Sequence, residues 1–177
     1  MGVDFELPTV KRYICKLLVF PELFIKFVIL ILSSVGIALT FEFGFDYEIT
    51  LIPETFCAGE IAFRYCINNI GCNAVIILVT GVLIFIDLAR ACLDNRQWKQ
   101  MVGALVLIVS LPMAGYLLAS SALLLKNYID VCENDARCTD IVDTRFLAVP
   151  IVGFIAAIFY LIIAFSSFLR ILLSQDD

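Results

Sequence analysis

The chain has 177 residues, of which 62% are hydrophobic and only 16% charged, with a formal net charge of −5 and no histidine. Soluble domains carry about 25% charged residues, so a mean hydropathy of +1.02 excludes an ordinary water-soluble core. A single membrane-embedded domain, residues 1–177, is expected at this length, with too little remaining sequence for a separate soluble enzyme.

The first 22 residues place Val10, Tyr13, Ile14, Leu17 and Leu18 at helical spacing among Lys11, Arg12 and Lys16. This pattern predicts an amphipathic entry helix in the headgroup layer, with basic residues suited to anionic lipid. Pro21 breaks or starts a helix. Glu22 and Lys26, one turn apart, are expected to pair with each other or to let Lys26 snorkel to the interface. Four spans follow at about 22–41, 67–89, 101–125 and 146–169, each near the roughly 20 residues that cross a hydrocarbon core. The expected fold class is an all-α membrane protein, a four-transmembrane-helix bundle with a small extracellular β-hairpin. The first apolar run lacks a small-residue cleavage site and reads as a retained span.

The hairpin is predicted from the first outer loop, 42–66. From Phe41 to Leu51 apolar and polar residues alternate, and Ile61, Phe63, Tyr65 and Ile67 alternate again after a turn near Ala58 and Gly59. A period of two is the signature of a strand with one buried face. Since an isolated hairpin is marginal in water, its face of Phe43, Phe45, Tyr47 and Ile49 is a candidate interaction surface. Glu42, Asp46 and Glu48 would form a solvated opposite face. The second outer loop, 126–145, is polar and acidic.

Cytosolic flanks retain positive charge. With the N-terminus inside, Lys11, Arg12, Lys16, Lys26, Arg90, Arg96, Lys99 and Arg170 lie on the cytosolic side, against Arg64, Lys126, Arg137 and Arg145 outside. Both termini are thus expected in the cytosol, in the plasma membrane or a secretory-pathway vesicle. Cysteine placement agrees, because disulfides persist outside the cytosol. Cys57 with Cys66 and Cys132 with Cys138 are the candidate disulfides, and Cys72 the candidate buried thiol, although spacing alone does not fix connectivity. Juxtamembrane Cys15 and Cys92 are palmitoylation candidates or plain packing residues.

Without histidine there is no Ser-His or Cys-His pair, and neither a Walker-type glycine loop nor a Cys-x-x-Cys motif occurs. A thiol oxidoreductase reading therefore lacks the motif that tunes a reactive thiol. No enzyme activity, cofactor, metal or nucleic-acid partner is expected. Spans three and four contain no ionisable residue, so ion conduction would fall to Asp87; Lys26 and Asp87, at comparable depth, read instead as an intramembrane polar pair. Small residues recur at four-residue intervals, as Ser34/Ala38, Ser110/Ala114, Gly115/Ala119 and Gly153/Ala157, which allows close helix contact. Pro112 should kink the third span, with freed backbone groups satisfied by neighbours.

The stretch Phe20-Pro21-Glu22-Leu23-Phe24-Ile25-Lys26 running into an apolar span, and a fourth span, Val149 to Ile171, bearing Phe154, Ala156, Tyr160 and Phe165, resemble MARVEL-domain tetraspan proteins in composition and layout. The Cys57 and Cys66 spacing and the predicted hairpin also resemble claudins. The chain departs from claudins in lacking Gly-Leu-Trp before the first cysteine, in the early start of span two, and in the Cys132 and Cys138 pair. The MARVEL-like resemblance implies a non-enzymatic membrane organiser at a cell junction or vesicle membrane, with the lipid bilayer, other membrane proteins or a second copy as partners. An accessory subunit of a larger channel, transporter or receptor is the competing expectation.

Overall fold

The computed structural model of the chain describes residues 7–44, 57, 60–92, 96–134 and 146–175, with side chains over 21–42, 57, 63–88, 100–130 and 146–172. Four α-helices make up all of these ranges but Cys57, Phe146 and Leu147: α1 (Leu7–Gly44), α2 (Glu60–Cys92), α3 (Arg96–Asn134) and α4 (Ala148–Gln175). Each contains a stretch long and apolar enough to cross a membrane: Pro21–Glu42, Phe63–Leu88, Gln100–Asp130 and Ala148–Leu172. Lipid offers no hydrogen bonds, so a spanning backbone must satisfy its own N–H and C=O groups, and the helix does this within one segment. The 39 residues of α3 reach about 58 Å at 1.5 Å per residue. That exceeds a hydrocarbon core of about 30 Å, leaving several turns for the headgroup layers and beyond.

Consecutive helices pack on one another, and α4 closes the ring against α1. Every neighbour is antiparallel. Lys26, early in α1, meets Asp87, late in α2, whereas Thr40 and Asn69 meet at the opposite ends of the same helices. Asn69 in turn meets Ser120 of α3, and Glu22 meets Arg170, late in α4. The bundle is therefore up-down-up-down. One end carries Leu7, Gln175 and the α2–α3 link, and is called the termini end below. The other carries the α1–α2 and α3–α4 links and is called the loop end.

The inward residues follow a seven-residue rhythm. On α1 the fully or nearly buried positions are Glu22, Lys26, Ile29, Ser33, Gly36 and Thr40; on α2 they include Cys66, Asn69, Asn73, Ile76, Thr80, Leu83 and Asp87. On α4 they include Val149, Gly153, Ala156, Tyr160, Ile163, Ser167 and Arg170. Steps alternating between three and four keep one stripe on the partner helix, as in left-handed bundles crossing at about 20°. Large apolar side chains occupy the opposite faces: Phe24, Leu78, Phe85, Met101, Ile108 and Phe165 are all more than 60% exposed. In water such a continuous apolar surface would drive association. In a bilayer it is the solvated face.

The structure corrects the expected outer hairpin. Phe41–Gly44 continue α1, and Ile61, Phe63, Tyr65 and Ile67 lie in α2; the described residues contain no strand. The alternation over Ile61–Ile67 is too short to distinguish a strand from a helix entering lipid. In α2, Phe63 and Ile67 are exposed one turn apart while Cys66 and Asn69 turn inward. Phe45, Tyr47 and Ile49 lie outside the described residues, and Phe43 contributes only backbone at the end of α1.

Two further boundaries move. α1 passes through Pro21 without a break, so residues 7–20 continue the span's own helix instead of forming a separate entry helix. A proline removes one i→i−4 bond and bends a helix, and neighbouring turns carry it onward. The second loop is shorter than expected, because α3 runs to Asn134 and takes in Lys126 and Cys132.

Candidate functional site: the polar seam of the bundle

The charged end of the seam is built on α1. Glu22 and Lys26 face inward one turn apart, but they do not serve one another alone. Lys26 Nζ pairs with Asp87 of α2, and Glu22 pairs with the Arg170 guanidinium of α4 while accepting a 3.1 Å hydrogen bond from Ser167 Oγ. All four charged residues are at least nine-tenths buried, and Lys26 is completely so. The snorkelling expectation for Lys26 therefore gives way to burial. Its ammonium has a carboxylate at hand inside the bundle and need not reach for water.

The two pairs oppose one another in sense. α1 offers an anion to α4 and a cation to α2, so the termini end contains two positive and two negative groups and no net formal charge among these residues. A buried charge in low dielectric is costly unless it is matched and hydrogen-bonded. Matching across two interfaces satisfies that demand and fixes α1 in register with both neighbours.

At the loop end the polar groups are neutral. Asn69 is the hub. Its Nδ2 donates to Thr40 Oγ1 at 3.0 Å, and its Oδ1 accepts from Ser120 Oγ at 3.2 Å and from Asn73 Nδ2 at 3.3 Å. Thr40 passes its own hydrogen back to the Gly36 carbonyl at 2.6 Å, and Asn73 Nδ2 also donates to the Asn69 carbonyl at 2.9 Å. Three helices are thereby tied through one side chain. Gly36 makes room for it: a Cβ there would lie 3.3 Å from Asn73 Oδ1. Nearby, on the more exposed α2–α3 side, Tyr116 donates to Asn68 Oδ1 at 3.2 Å.

Between these two levels Thr80 of α2 bonds Tyr160 of α4, spanning the diagonal of the ring. The α3–α4 interface depends on small residues. Gly153 lies so close to Ser121 that a Cβ would collide with its hydroxyl, and Ala114, Ala156 and Ala157 are buried in the core along the same two helices. Two of the expected small pairs, Ser110/Ala114 and Gly153/Ala157, thus face inward, whereas Ser34/Ala38 and Gly115/Ala119 face out.

Cys57 and Cys66 form a disulfide with Cα atoms 6.1 Å apart. It is buried against Leu124, Phe146 and Val149, with Leu39, Tyr65 and Tyr128 around them, so it ties the approach to α2 onto the helix itself. Cys72 is a free, buried thiol. Cys15, Cys92 and Cys132 lie within helices, but their side chains are outside the described residues, as is all of Cys138.

Reading the spans as clean apolar runs missed the polar contribution of α3 and α4: Ser110, Ser120, Ser121, Asn127, Tyr160, Ser167 and Arg170 are all buried. The available signal was the seven-residue repeat Cys66, Asn73, Thr80, Asp87 on α2, a polar stripe on a hydrophobic helix. Such a stripe requires partners on neighbouring helices.

Four apolar helices closed around a polar seam define an integral, multi-pass membrane protein. Comparison with protein-family models, curated proteins and solved structures gave no match to this chain.

Proposed function

We propose that the chain is a non-enzymatic tetraspan organiser, acting at a cell junction or vesicle membrane by holding its outer loops and lipid-facing helices against other membrane proteins or a second copy. The observation that carries this reading is the internal matching of charge: among the described residues, each buried Asp, Glu, Lys or Arg faces an opposite charge on a neighbouring helix. Groups committed to holding helices together are fixed in one arrangement, and the bundle is a mount for what it presents outside. The likeness of Phe20–Lys26 and of the fourth span to MARVEL-domain proteins supports the same reading.

In this proposal the termini are cytosolic and the disulfide end faces the lumen or cell exterior. The positive residues beside the spans favour that orientation, and a Cys57–Cys66 bridge persists where the environment is oxidising. The first outer segment, with Phe43, Phe45, Tyr47 and Ile49, supplies the contact. Replacing Phe43, Phe45 and Tyr47 together with Ser should abolish cross-linking to the partner while membrane insertion is unchanged. Undiminished cross-linking would reject the loop as the contact.

An accessory-subunit role is favoured by one specific feature. Gly71, Gly81 and Gly115 face outward with no atom near where a Cβ would stand, and exposed glycines let another helix approach closely in lipid. Purification in mild detergent followed by native mass analysis separates the two: self-association or adhesion proteins support the organiser, and a stoichiometric polytopic partner supports the subunit.

A further inference from the structure

The seam has a third level, lying between the charged pairs and the Asn69 hub. Ser33 stands midway between Lys26 and Thr40 on α1. Thr80 occupies the corresponding stretch of α2 between Asp87 and Asn69, and already touches Tyr160 of α4. On α3, Ser110 lies between Gly103, which packs on Ile171, and Ser121, which packs against Gly153. Antiparallel register therefore brings one hydroxyl from each helix to within about a turn of the bundle's middle. All four residues have 0% exposure.

Only two of these hydroxyls are joined by a direct bond. Ser33 Oγ and Ser110 Oγ are buried with no hydrogen-bond partner among the described residues. They also differ from Ser34 and Thr40, whose hydroxyls donate to the carbonyl one turn back. An unpaired hydroxyl in a low-dielectric interior is costly, and two on facing elements of one ring call for a shared partner. That partner must both donate and accept, be small enough for a closed core, and remain neutral. Water meets these conditions, since buried waters typically join two to four polar groups.

We propose that Ser33, Thr80, Ser110 and Tyr160 form a water-binding site at the middle of the membrane-spanning bundle, with water bridging the two serines to the Thr80–Tyr160 pair. The interior is then polar at three successive levels: ionic, hydrated and amide-centred.

Water-edited solid-state NMR of the full chain in lipid bilayers tests this. Polarisation from water should reach Ser33, Thr80, Ser110 and Tyr160 several-fold faster than it reaches the flanking Ile29, Ile76 and Ala157. Equal, slow transfer at all seven in the unmodified protein would overturn the proposal. In S33A/S110A, transfer to Thr80 and Tyr160 should fall to the level of their apolar neighbours. Transfer unchanged from the unmodified protein would show that the serines hold no bridging water and would equally overturn it.

Discussion

Lys26 carries the largest local electrostatic demand, since it is a fully buried cation held by Asp87. Removing one member of such a pair leaves the other charge without its partner, at a cost of about 3–5 kcal/mol. Lys26→Met and Asp87→Asn should therefore each lower the midpoint of SDS-induced unfolding, followed by circular dichroism. The double change Lys26→Met with Asp87→Leu should recover most of the loss, because matched apolar groups replace a matched ion pair. Single changes costing less than about 1 kcal/mol would place the pair with solvent-exposed bridges and contradict its burial. Glu22 obeys the same logic with Arg170, with Ser167 as an additional donor.

For the helices, the governing quantity is how closely backbones approach. Gly153 on α4 faces Ser121 on α3 without space for a methyl group, and overpacking of this kind costs about 1–3 kcal/mol. Gly153→Ala should destabilise the α3–α4 pair by that order in the same SDS assay, and Ser121→Ala introduced with it should restore part of the loss by removing the colliding hydroxyl. Equal stability of Gly153→Ala and the unmodified chain would show that the helices separate easily. The positions of the four helices were legible because about 20 uncharged apolar residues have few other uses. Their ends were not: Phe41–Gly44 and Ile61–Ile67 alternate over too few residues to separate a period of two from a helical face turned to lipid. The seam was legible in part. Lys26 and Asp87 stand out as charges in apolar runs, but Ser110, Ser120 and Tyr160 look unremarkable among apolar neighbours until the inward steps of three and four residues are followed along each helix.

At the scale of the molecule, the ring of antiparallel helices places α1 and α4 ends together, and the proposed orientation sets that end in the cytosol. Tags at the two termini should react with antibody only after the plasma membrane is permeabilised. A Cys57→Ser chain should expose Cys66 to thiol reagent under denaturing conditions, whereas the unmodified pair should label only after reduction. Antibody access to either terminus on intact cells would reverse the orientation. Both readouts bear on which face is presented outward, and neither depends on the identity of a partner.

The Glu22–Arg170 pair joins the first spanning helix to the last, and this has a consequence for the order in which the chain is made. Lys26 and Asp87 belong to consecutive helices, so the ammonium can find its carboxylate as soon as the α1–α2 hairpin has emerged from the ribosome. Glu22 must wait until nearly the whole of α4 has followed. A chain that stops short of Arg170 leaves that carboxylate without its guanidinium, and the ring has no ionic clasp between its first and last members. Emergence of α4 and closure of the bundle are thus registered by the same bond.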